Sequence, residues 1–184
     1  GCRAGETARV PDVDERIRAS QQLTLEAQEA DRDGRPTRAI GLYQEALKTY
    51  REFPAAWNNL GVLLMESGRN MEAFEAFQTA AALSPNDARS MANVAMLWQR
   101  LGYHTDAIKA YDQALRRDPN YLPALRESVV LETQNSQVTP TTAERVRKAL
   151  LLEQDPKWRD ELLRQKQLVD ERLAMSGKDS GDNP

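Results

Sequence analysis

The chain of 184 residues has one cysteine, Cys2, and one histidine, His104. A lone cysteine cannot close an internal disulfide, and a metal centre needs several ligands, so neither a disulfide framework nor a Cys/His metal site is available. No stretch approaches the roughly 20 apolar residues that a membrane-spanning helix requires. A dominant charge sign is missing too: 25 basic and 28 acidic residues are interspersed and leave a net charge of -3. That balance gives neither a basic field for nucleic acid nor an acidic tail. No serine–histidine–acid arrangement and no phosphate-cradling glycine loop is visible. The expectation is a non-catalytic protein without cofactor or metal, in which His104 is an exposed residue at a helix start, in the slot that Pro36 and Asn70 occupy elsewhere. Hydrophobic residues make up 40% of the chain, enough for one real core.

What the sequence does have is a period. Shifted by 34 residues, Gly34, Gly68 and Gly102 align, as do Ala39, Ala73 and Ala107, then Tyr43, Phe77 and Tyr111, then Ala46, Ala80 and Ala114. Pro85 and Pro119 close two of the copies. A fixed period of this length marks a unit too small to bury its own apolar face and therefore stacked on its neighbours. Within each copy the apolar residues recur at helical spacing: Trp57, Leu60, Gly61 and Leu64 lie at i, i+3, i+4 and i+7 and share one stripe. Gly61 costs roughly 1 kcal/mol relative to alanine inside a helix, and close approach of the next helix is the expected compensation. The glycines at 34, 68 and 102 are expected to end first helices with positive φ, and Pro36 to start a second one, where its missing N–H costs nothing.

The middle copy reads Trp57-x-x-Leu60-Gly61-x-x-Leu64, then Ala73-x-x-x-Phe77, then Pro85. It resembles the tetratricopeptide repeat, with leucine in place of the usual tyrosine at position 64. The resemblance implies an all-α fold, a right-handed α-solenoid of antiparallel helix pairs. Repeats are expected at about 20–53, 54–87 and 88–121, with a degenerate one over 122–156, where Leu125, Val129 and Glu132 stand in for Trp57, Gly61 and Leu64. Residues 157–175 form an amphipathic helix with Trp158, Leu162, Val169 and Leu173 on one side, read as a cap over the apolar end of the stack or as a dimerisation helix. Residues 1–19 read as a tether that becomes helical near Val13, and 176–184 as a disordered tail.

Gly1-Cys2 is similar to the end of a bacterial lipoprotein signal, which would place a lipid on Cys2 and the protein on the bacterial cell envelope. The alternatives are an ordinary thiol and a cytoplasmic protein.

The resemblance further implies that the first helices of successive repeats line a concave groove for a peptide or partner protein. The candidate groove residues are Gln28, Asn58, Asn59, Val62, Arg89, Asn93, Met96, Arg100 and Arg126, with Gln21, Thr24, Glu66 and Glu127 beside them. Asn59 and Asn93 stand one repeat apart, and a carboxamide, both donor and acceptor, can bracket a peptide backbone. Arg89, Arg100 and Arg126 give the expected groove a basic character that favours an acidic or C-terminal carboxylate ligand. The carboxylate clamp of chaperone adaptors is only half matched, by Asn59 and Arg89, because Thr24, Gln28 and Asn93 stand where its other members would be. The function expected is an interaction module, plausibly a lipid-anchored envelope scaffold or assembly factor. Against it stand a self-associating oligomer with no outside ligand and a regulatory fragment of a larger enzyme.

Overall fold

The computed structural model describes residues 12–179, and among these every regular element is a helix, nine in all. They form two compact units, divided after Leu83.

The first unit holds α1 (Val13–Arg32), α2 (Pro36–Thr49), α3 (Pro54–Glu66) and α4 (Asn70–Leu83), each packed on its neighbour in sequence. α1 begins at Val13, where the tether is expected to become helical and seven residues ahead of the first repeat, because Asp12 and Glu15 form a reciprocal cap: the Asp12 carboxylate accepts from the Glu15 N–H at 2.8 Å, and Glu15 accepts from the Asp12 N–H at 3.1 Å. Gly34 and Gly68 carry φ of 70° and 76° at the ends of α1 and α3. Each lets the next residue's N–H reach back five positions, Arg35 to the Ala30 carbonyl at 2.9 Å and Arg69 to the Leu64 carbonyl at 2.8 Å. The core alternates alanines of zero exposure, at 39, 46, 73 and 80, with the large rings of Tyr43 and Phe77. Gly61 supplies the expected close approach: a Cβ there would lie 2.5 Å from the Phe77 ring.

The second unit holds α5 (Arg89–Arg100), α6 (His104–Arg117), α7 (Leu122–Gln134), α8 (Pro140–Leu152) and α9 (Pro156–Asp179). Its core gathers Leu125, Val129, Val146, Ala149 and Leu162. α9 packs on α7 and α8 with Leu162 and Val169 fully buried, and reaches Asp179, four residues past the end expected for the cap. Leu163, Leu168 and Met175 on its other faces are exposed. His104 departs from expectation: it is half-buried, and its Nδ1 is hydrogen bonded to Asn135 Oδ1 at 2.5 Å, which ties the start of α6 to the end of α7.

The degenerate repeat keeps more of the pattern than its sequence suggests. Ser136, one period after Gly102, adopts φ of 56° and makes the same turn, with the Gln137 N–H bonded to the Glu132 carbonyl at 2.8 Å. A side chain in the left-handed region costs about 1 kcal/mol or more. Ser136→Gly is therefore expected to raise the unfolding free energy of this unit by about 1 kcal/mol, read from urea unfolding; an unchanged midpoint would show that the seryl backbone is not strained.

Polar groups replace apolar ones deeper in this repeat. Glu132 stands where Leu64 stands in the first unit, and its buried carboxylate meets the Arg145 guanidinium, which also binds Asp112. Burial pushes the Glu132 carboxyl above its ordinary range, while the Thr142 hydroxyl and Arg145 pull it back.

Candidate functional site

Residues at i, i+3 and i+4 share a helix face, so Gln28, Asp31 and Arg32 lie together on α1, and Asn59, Val62 and the buried Leu63 on α3. Between these faces, with Tyr43 of α2 at the bottom, lies a pocket of about 350 Å³ lined by these seven residues. Three of the expected groove residues, Gln28, Asn59 and Val62, thus come together. The Tyr43 ring is buried while its hydroxyl is hydrogen bonded to the Asn59 carboxamide. Burial raises the Tyr43 hydroxyl above the ordinary phenolic range, Asn59 lowers it and the nearby Asp31 carboxylate raises it again. The pocket therefore offers two carboxamides, a neutral phenol, a carboxylate and an arginine around an apolar floor, a set suited to hydrogen bonding a polypeptide backbone and one or two side chains. It holds no nucleophile–base pair.

Other expectations fare differently. Asn58 is half-buried and stands outside this lining. Thr24 is buried, and its hydroxyl donates to the Ser20 carbonyl at 2.9 Å, so it faces the core and no ligand. In the second unit Asn93 is half-buried, and Met96 and Arg100 are exposed on α5. The expected basic character is largely neutralised. Arg89 is held by Asp87, its Nε and Nη2 lying 2.7–3.1 Å from that carboxylate. Arg126 is paired with the buried Glu153 and lies over the Trp158 ring, 4.8 Å from its centroid. Only Arg100 of the three has no carboxylate partner among the described residues.

Tyr43, Asp31 and Arg32 were missed by sequence reading. The one available signal was a hydroxyl at position 43 where the next repeat has Phe77, since a phenol is kept in a core when its OH has a partner.

A second concavity lies on the other side of α3. Gln44, Leu47, Lys48 and Arg51 form one wall, Glu72, Glu75, Ala76 and Thr79 the other, and Trp57, Leu60 and Leu64 the floor of a cleft of about 650 Å³. In the second unit the matching place, between α6 and α8, is narrowed to about 330 Å³, and Arg145 is among its lining. Among the described residues no helix is long and apolar enough to cross a membrane, and no group of side chains is placed to hold a metal ion. Cys2 lies outside the described residues.

Comparison with known proteins agrees with this architecture. The family model of the tetratricopeptide repeat matches residues 24–88 and 63–121. Among curated proteins, the chain is 29% identical over 93 residues to mouse superkiller complex protein 3, covering 50% of this chain and 6% of that protein. It is 33% identical over 86 residues to tomato SPINDLY, described as a probable peptide N-acetylglucosaminyltransferase, covering 47% and 9%. The chain spans only a small part of the length of these relatives. Among solved structures, a tetratricopeptide protein of Thermus thermophilus superposes with a TM-score of 0.67 at 22% identity, over 87% of this chain and 89% of that one. The first repeat domain of Spaghetti, solved with an HSP90 peptide, gives 0.61 at 17% identity, over 65% and 95%.

Proposed function

The chain belongs to the tetratricopeptide repeat family, and from that premise we propose that it is a non-catalytic interaction module that holds an extended segment of a partner protein against the first helices of its repeats. The observation that carries this reading is the pocket of α1, α2 and α3, where carboxamides from two successive first helices flank the hydroxyl of a buried tyrosine. Such a set grips a backbone through donors and acceptors whose mutual spacing is fixed by helix packing. The peptide-bound Spaghetti domain supports the reading by analogy of fold.

The test is a photo-crosslinking residue placed at Val62 in cells that make the protein. Crosslinks to another protein, absent when the same residue replaces Gln78 on the exposed face of α4 and weakened several-fold by Asn59→Ala, are the expected result. Crosslinks equal at both positions would overturn it.

Attachment of the module to a bacterial envelope through a lipid on Cys2 belongs to the same proposal and rests on the Gly1-Cys2 dipeptide alone. Retention of a Cys2→Ser variant in the membrane fraction would dismiss it. The competing reading, self-association, is favoured by the exposed Leu163, Leu168 and Met175 of α9. In that case crosslinks appear from Leu163 to a second copy of the chain, and none from Val62.

A further inference from the structure

The residues that line the pocket of the first unit have counterparts two periods on, in the second unit, and these differ in one chemical respect. Moving 68 residues along the chain, Arg32 becomes Arg100, Tyr43 becomes Tyr111 and Val62 becomes Val130, but Asp31 becomes Gln99 and Asn59 becomes Glu127. Carboxylate and carboxamide have exchanged helices. In the first unit the acid lies on the first helix of the hairpin, ahead of the tyrosine, and the tyrosine hydroxyl is bonded to the amide of the following helix. In the second the Tyr111 hydroxyl instead donates to Gln99 Oε1 at 3.1 Å. That hydroxyl is thus committed to α5, while Glu127 stands near it on α7.

Glu127 is half-buried, and burial pushes its carboxyl above the ordinary range. The one cation that offsets this is Arg126, and the Arg126 guanidinium is already bonded to Glu153, whose side chain is 1% exposed. Two carboxylates therefore share one guanidinium. Arg100 extends from α5 into solvent, and Arg89 is held by Asp87. Glu127 is left as a partly buried carboxylate on α7 beside Tyr111, with no cation of its own assigned to it. A carboxylate in this condition gains most from a charge-assisted donor brought from outside.

We propose that the second unit binds a cationic side chain, arginine or lysine, of the partner polypeptide against Glu127, the reverse of the acidic ligand that the arginines of the sequence suggest. The inference rests on the reading of the protein as an interaction module and names the chemistry of its ligand. Met96 and Val130 stand at the counterpart positions of Gln28 and Val62 and provide apolar surface for the aliphatic stem of such a side chain.

The experiment is an NMR titration of the full chain with n-butylguanidinium chloride and, separately, sodium butyrate at equal ionic strength. The expected result is saturable shifts of the amides around Tyr111 and Glu127 with the guanidinium, none there with butyrate, and an apparent affinity at least about tenfold weaker in Glu127→Gln. Because the substitution is isosteric and removes a carboxylate that burial already disfavours, the variant is expected to fold, which its circular dichroism checks; Glu127→Asp, which keeps the charge, should retain part of the binding. Shifts that are unchanged in Glu127→Gln, absent altogether, or produced by butyrate would each overturn the inference. The two readings fail separately: guanidinium binding without crosslinks from Val62 removes the interaction module and leaves the cation site, whereas crosslinks with no response at Glu127 remove the cation site alone.

Discussion

Arg145→Ala is expected to destabilise the second unit by about 3 kcal/mol at neutral pH, the cost of leaving a buried carboxylate without its counter-ion. Glu132 is 5% exposed, and its second oxygen already lacks a hydrogen-bond partner, so only the neutral Thr142 hydroxyl is left to it. The companion double variant Glu132→Leu/Arg145→Ala restores the pair Leu64 and Ala76 of the first unit, Ala76 being the match of Arg145 because α8 runs one residue out of the 68-residue register and Thr141, Glu144, Arg145 and Lys148 line their cleft as Glu72, Glu75, Ala76 and Thr79 line theirs. It is expected to recover most of the loss, since a well-packed apolar pair replaces a buried ion pair at little or no net cost. The single variant also has a pH signature. A carboxyl raised in the folded state binds its proton more tightly folded than unfolded, so stability rises as pH falls from that raised value towards the ordinary 4.5. Loss of Arg145 removes one of the groups that lower it, and the deficit is expected to be full at neutral pH and smaller at about pH 5. Urea unfolding at both values measures it, and a deficit that grows on acidification would show that Glu132 is not the group responsible.

Gly61→Ala is expected to destabilise the first unit by about 2 kcal/mol, although alanine is the better helix former by roughly 1 kcal/mol. The added methyl would meet the Phe77 ring at 2.5 Å, and that ring is fully buried and cannot swing away. Pairing it with Phe77→Leu opens the space. The two substitutions together should cost about 1 kcal/mol less than their sum, whereas simple additivity would show that the helices can part without resistance. The third repeat places Ala95 at this position and the fourth Val129, both buried, so the close approach belongs to the hairpin of α3 and α4.

Both variants probe places where one repeat departs from another, and such departures divide what the sequence reveals from what it hides. Gly34, Gly68 and Gly102, the paired alanines and the buried rings were legible because each answers a steric demand that recurs with every helix pair. The helix start near Val13 was legible as well, and the structure adds its cause, a reciprocal cap between Asp12 and Glu15 ahead of the repeated region. Ser136 hid a conserved turn behind a residue that does not favour it. At the site, Gln28, Asn59 and Val62 could be found from helical phase once the family resemblance had singled out the first helices. The fate of the arginines could not, for Arg126 is taken by Glu153, 27 residues further on, and only the fold brings them together. Arg89 was within reach of sequence reading, because Asp87 lies two residues before it and binds its backbone N–H as well. Tyr43 aligns with the packing ring of Phe77 and packs as it does; its hydroxyl acquires a role only once α1 and α3 are set on either side of it.

The start of α9 carries a consequence for how such a chain can change length. Pro156 follows Leu122, the first residue of α7, by one full period of 34, so the closing helix enters in the place of the first helix of a further repeat. Its buried Leu162 continues the series Leu60, Val94 and Ser128. A duplication that inserted one whole hairpin between Leu152 and Pro156 would find α8 presenting the surface it presents now, and would hand α9 a surface of the same kind. Gene-level lengthening or shortening by whole repeats would then preserve the terminal helix unaltered, while a partial duplication would put it out of phase and leave the end of the array uncovered. The reach of the protein is in this sense a heritable variable separate from its cap.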